Sequence, residues 1–135
     1  MGSMAQIEML VLLQSVDLFS YCTAEQVLRL SMISRDVSFV SGDTVYERND
    51  VAEALYCVLS GQVELERADG SIELAGPGKT FGVHDILRDR LRPHTATARA
   101  DTHVLAIEAE DFFDLLSNNI EIVKALFRRL SEGDT

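Results

Sequence analysis

The chain has 135 residues, 47% of them hydrophobic and 25% charged, with a formal net charge of −10. That length supports one domain around a single core, and that balance excludes a disordered chain. Twenty-two acidic residues against twelve basic ones repel phosphate backbones at long range, which argues against a nucleic-acid surface.

Residues 1–3, ahead of Met4, read as an expression scar and are set aside. Ile7, Leu10, Val11 and Leu13 then recur at helical spacing. The apolar run Met9–Leu13 is far shorter than the roughly 20 residues a bilayer crossing needs. It has no basic flank or small-residue cleavage site either, so it reads as a helix packed on the core. Leu18-Phe19 starts a tight connector. Thr23 is set to cap the next helix, with Gln26 completing a capping box. Val27, Leu28, Leu30, Met32 and Ile33 are expected to form its buried stripe.

From Asp36 the period changes to two. Val37 and Phe39, then Val45 and Tyr46 after the turn Ser41-Gly42-Asp43, read as short strands. Ala54–Leu59 is a continuous apolar run that suits a strand buried on both faces. Val63–Glu66 alternates, Asp69-Gly70 signals a hairpin, and Ile72–Leu74 answers it. Phe81-Gly82 ends a strand and opens a short helix over Val83–Leu87. Thr95–Ala100 and Val104–Ile107 are two further strands, and Glu110–Ser117 and Ile120–Leu130 are helices. Helices, about eight short strands, one helical insert and closing helices favour a mainly β fold: an eight-stranded antiparallel jelly roll or barrel. The expected layout is one domain over 4–130: N-terminal helices over 4–35, a β-roll over 36–108 and C-terminal helices over 109–130. Residues 131–135 read as a frayed tail.

Charge is unevenly spread. Between Lys79 and Arg99 stand five basic residues (Lys79, Arg88, Arg90, Arg92, Arg99) and two acidic ones (Asp85, Asp89), a surplus of three, so the rest of the chain carries −13. A basic island beside free helix amides favours a small anion. The plainer alternative is a solvated loop with scattered arginines.

Several segments in one register resemble the cyclic nucleotide-binding domain family. They are Gly42–Glu47, Ala54–Val63, Gly76-Pro77-Gly78, Phe81-Gly82, Thr95–Ala100, Val104–Ile107 and Asp111-Phe112. The resemblance runs from about Leu12 to Leu130 and implies a double-stranded β-helix fold with a phosphate-binding cassette over 81–97. It implies ligand contacts from Phe81, Gly82, Val83, His84, Asp85, Arg92, His94, Thr95 and Ala96, with cAMP, cGMP or another small anion as ligand. Two positions depart from the family pattern. The place of the ribose-binding Glu is Val83, which accepts no hydrogen bond, and the place of the phosphate-binding Arg is His94. Losing an ionic and a ribose contact costs roughly 10²- to 10⁴-fold in affinity, so cyclic nucleotide binding is expected to be weak or lost. Arg92, two residues before His94, has the length to reach the same phosphate. Restoring Glu at 83 and Arg at 94 is expected to restore binding.

Other chemistries fit less well. His84, Asp85 and His94 lack the His-x-His pattern of metal-binding jelly rolls, so no metal site is expected. Neither Cys22 nor Cys57 sits in a CxxC or beside a His; both read as reduced, mostly buried thiols of a cytoplasmic protein. Gly76-Pro77-Gly78-Lys79-Thr80 has Glu73 where a P-loop needs its first Gly. An enzyme is not expected. Ile122, Val123, Leu126, Phe127 and Leu130 give the last helix a broad apolar face. It serves packing on the roll, a lid over the pocket, or contact with a second copy or a partner domain. No helix-turn-helix follows Leu130, so a DNA-binding output is not expected from this piece. Two functions stay open: a regulatory module in which ligand binding shifts the C-terminal helices, and a ligand-free interaction or dimerisation domain with a decayed pocket.

Overall fold

The computed structural model describes residues 6–132. The 1–3 segment and the last three residues of the tail lie outside them; Ser131 and Glu132 belong to the closing helix. Helices α1 (Gln6–Gln14) and α2 (Ala24–Met32) lead into β1 (Ser34–Phe39), β2 (Thr44–Tyr46), β3 (Ala54–Ser60), β4 (Val63–Arg67), β5 (Ile72–Ala75) and β6 (Thr80–Phe81). The short helix α3 (Val83–Leu87), strands β7 (His94–Ala98) and β8 (Thr102–Glu108), and helices α4 (Ala109–Ser117) and α5 (Ile120–Glu132) follow. The strands pair antiparallel as two four-stranded sheets, ordered β1-β8-β3-β6 and β2-β7-β4-β5, rather than as one closed barrel.

Period-two alternation in β3 and β8 divides the interior into two clusters. Leu55, Cys57, Leu105 and Ile107 face the helices, where Leu13, Phe19, Leu30, Phe112 and Ile122 meet them. Val58 and Val104 face the other way, into the space between the sheets, with Tyr46, Val63, Leu65 and Phe81. The strand read as buried on both faces is therefore β3, which serves both clusters. The Asp69-Gly70 turn joins β4 to β5, with Gly70 in the left-handed region at φ +87° and its N–H donating to the Arg67 carbonyl.

The capping box is present: Thr23 Oγ1 accepts from the Gln26 N–H at 3.2 Å, and Gln26 Oε1 accepts from the Thr23 N–H at 2.9 Å. The helix faces differ from expectation. In α1 the buried positions are Met9 and Leu13, while Ile7 and Val11 are exposed; in α2, Leu28 and Met32 are exposed. Met9 and Leu13 stand four residues apart, so α1 meets the core along one narrow stripe with Leu10 at its edge, while Ile7 and Val11 turn outward. Both thiols are free; burial raises Cys22 to about 11 and Cys57 to about 12, which keeps them protonated. No helix among the described residues is long and apolar enough to cross a membrane.

Candidate functional site

The cassette begins where β6 ends. Phe81 is buried and stacks on Tyr56, with ring centroids 5.1 Å apart. Gly82 then takes φ +86°, and a Cβ there would lie 2.7 Å from Arg92 Nη1, so glycine is needed both for its conformation and for the approach of that guanidinium.

Arg92 is the centre of the site. Its side chain is 1% exposed, and its charge is received entirely inside the protein. Nη1 donates to the Gly82 carbonyl at 2.8 Å and to Asp85 Oδ2 at 3.1 Å, and Nη2 donates to the Ala54 carbonyl at 2.5 Å. The Tyr46 ring lies beneath, 4.0 Å from the guanidinium carbon. The backbone fixes this aim: the Arg92 N–H donates to the Asp50 carbonyl and the Arg92 carbonyl accepts from the Asn49 N–H. Asp85 is itself buried, and its other oxygen accepts from Arg90 Nε at 2.9 Å. Two guanidinium charges thus share one carboxylate, leaving a formal surplus of one.

His94 opens β7 and is also buried. Its Nε2 is 2.6 Å from the Tyr46 hydroxyl. Its pKa is lowered from 6.5, chiefly by burial, with Arg67 and Arg92 adding to the effect and Asp85 opposing it. Burial likewise raises the Tyr46 phenol far above its ordinary value, so Tyr46 is a neutral partner. Among the described residues Arg92 Nε and His94 Nδ1 are buried nitrogens that find no hydrogen-bond partner, and both belong to side chains packed against Tyr46. Thr95 Oγ1 accepts from the Arg48 N–H at 3.1 Å, and Ala96 is fully buried in β7 opposite Tyr46 and Leu65.

Phe81, Gly82, Asp85, Arg92 and His94 therefore converge, with Thr95 and Ala96 on the adjoining strand. Val83 and His84 do not join them. Val83 belongs to the helical cluster and lines one small apolar cavity with Leu18, Phe112 and Leu126. His84 is exposed and faces α5. The sequence reading missed Tyr46, the floor of the site, although period-two alternation in β2 points it inward. It also missed the Ala54 carbonyl, for which no side-chain pattern gives a signal, while Arg90 was counted only as one cation of the basic island and not as a partner of Asp85.

Comparison with known proteins shows the family and the fold. Residues 36–119 match the model of the "Cyclic nucleotide-binding domain" family. The cyclic AMP receptor protein of Thermus thermophilus is 33% identical over 129 residues, covering 87% of this chain and 58% of that protein. The potassium channel GORK of Arabidopsis thaliana is 28% identical over 120 residues, covering 85% of this chain and 15% of the channel. The chain thus spans between about one-seventh and three-fifths of these relatives. The solved sensor domain of the transcriptional regulator DNR from Pseudomonas aeruginosa superposes with a TM-score of 0.78 at 26% identity, covering 94% of this chain and 89% of that one.

Proposed function

The chain belongs to the cyclic nucleotide-binding domain family, and from that premise we propose that it is a non-catalytic regulatory module whose cassette is closed by its own Arg92. The observation that carries this reading is the guanidinium network on Asp85, Gly82 and Ala54. A cyclic phosphate must draw Arg92 away from a buried carboxylate to gain its charge-assisted contact. That carboxylate, left without Arg92, keeps only the more exposed Arg90 as its charge partner and loses its one buried one. His94 supplies a neutral ring where the family pattern has a permanent cation, and Val83 supplies no ribose acceptor. Ordinary cAMP and cGMP are accordingly weak ligands.

Two features support a small anion at this place. Arg90, Arg92 and Asp85 leave a formal surplus of one positive charge, and Arg92 Nε and His94 Nδ1 are buried without partners among the described residues. Coupling to an output runs through α3. Val83 and Ile86 pack in one cluster with Phe112 of α4 and Ile122 and Leu126 of α5, so any ligand that moves α3 favours a different setting of those helices. Isothermal titration of the chain with cAMP and cGMP tests the reading. The expected outcome is no saturable heat below millimolar nucleotide; a micromolar dissociation constant for either would overturn it.

A further inference from the structure

On the far side of α3 from Arg92, an open groove of about 630 Å³ separates the cassette helix from α5. Its apolar floor is Leu87, Phe127 and Leu130, and Phe127 is 66% exposed. Its rim is Arg88, Lys124 and Arg128, and among the described residues no acidic side chain lines it. In a chain of net charge −10 this is a local reversal of sign. The three cations are weakly engaged. Lys124 is 3.3 Å from Glu121, with both side chains about two-thirds exposed, an arrangement worth little and readily exchanged. Arg128 lies over the Tyr21 ring at 4.6 Å, and the Tyr21 hydroxyl donates to Glu132. Arg88 makes no side-chain hydrogen bond or ion pair among the described residues.

We propose that this groove docks an acidic segment of a partner protein, one that places a large apolar side chain on Phe127 and Leu87 and carboxylates on Arg88, Lys124 and Arg128. Both halves of the groove require this chemistry. A small free anion would neutralise the rim but leave the exposed phenylalanine in water. An extended anionic surface, such as a bilayer, would also face the acidic remainder of the chain, which carries −13 once the three rim cations are set aside. A single segment lying in the groove interacts chiefly with charges within about 8 Å, the screening length at physiological salt. The bound segment would contact α3 and α5 together, whether or not a nucleotide seats in the cassette.

Selection of random peptides of about 12 residues displayed against the 135-residue chain is the direct test. The selected sequences are expected to combine Asp or Glu with Phe, Leu or another large apolar residue. Affinity of the best peptide, read by fluorescence anisotropy, is expected to fall about tenfold or more in Lys124→Glu/Arg128→Glu and to weaken as salt rises. Phe127→Ser should weaken the same peptide, while melting curves of all variants overlay that of the wild type. Should the charge-reversed pair fold poorly, Lys124→Gln/Arg128→Gln should give a smaller loss in the same direction. Selected peptides without acidic enrichment, or binding indifferent to these substitutions, would overturn the proposal. So would co-sedimentation of the chain with phosphatidylserine vesicles, or a dimer in sedimentation velocity that Lys124→Glu/Arg128→Glu abolishes.

Discussion

Arg92 can stay buried because Asp85, two backbone carbonyls and the Tyr46 ring receive its charge together. Removing one partner should therefore be far more damaging than the pair is stabilising. Asp85→Ala is expected to cost about 3–5 kcal/mol in urea denaturation, because it strands a buried guanidinium. Asp85→Ala/Arg92→Met should recover part of that loss, and a near-neutral Asp85→Ala would contradict the burial of the pair. His94 gives a pH signature. Its folded pKa lies below the ordinary 6.5, so below about pH 6.5 the unfolded chain holds a proton that the folded one refuses. This contribution is complete above that pH and is lost as pH falls toward the folded value. The depressed carboxylates act in another window: Asp17, held down by its hydrogen bond to Arg129, and Asp69, held down by Ser71, give up their contributions only below about pH 4. Melting temperature of the wild type is expected to fall from pH 6.5 to about 5 more steeply than that of His94→Gln; matching slopes would contradict the buried, neutral ring.

At the scale of elements, α3 decides how the cassette can be altered. The expectation that Glu at 83 and Arg at 94 would restore nucleotide binding changes once Val83 is seen in the helical cluster at 3% exposure. A carboxylate there is buried among Leu18, Phe112 and Leu126 rather than offered to a sugar. Val83→Glu is expected to destabilise the fold by at least about 2 kcal/mol and to create no cAMP affinity. A stable, cAMP-binding variant would show that α3 turns its first residue inward. The eight strands and the cap at Thr23 were legible because period-two alternation, glycine turns and a capping box are local signals. The buried face of α1 was not, since the unbroken apolar run Met9–Leu13 fits several faces equally and only contact with the core chooses one. The strand end, short helix and strand over 80–98 were legible from Phe81-Gly82 and the alternating Thr/Ala run that follows. The wiring of the site was not, because Tyr46 and the Ala54 carbonyl reach it from strands distant in sequence, and a carbonyl carries no residue signature.

Across the whole molecule, the two clusters link the site to the surface. The cassette helix belongs to the cluster that also holds α4 and α5, and α5 is pinned at its far end where Arg129 Nε donates to Asp17 Oδ1 at 3.0 Å. Arg129→Ala should release that end: amide exchange over 126–132 is expected to quicken while global stability changes by less than about 1 kcal/mol. Unaltered exchange would mean that apolar packing alone holds α5. The Arg129–Asp17 pair fastens the last helix to the start of the 3-10 turn, and the Arg92 network holds that guanidinium among Asp85, Gly82 and Ala54. The most direct measurement is the side-chain Nε–Hε resonance of Arg92, followed by nitrogen–proton NMR as cAMP or cGMP is added to millimolar concentration. The account predicts that this signal and the His94 ring signals hold their positions throughout. A saturable displacement of the Arg92 signal at micromolar nucleotide, accompanied by movement of His94, would show instead that the guanidinium leaves Asp85 for the phosphate.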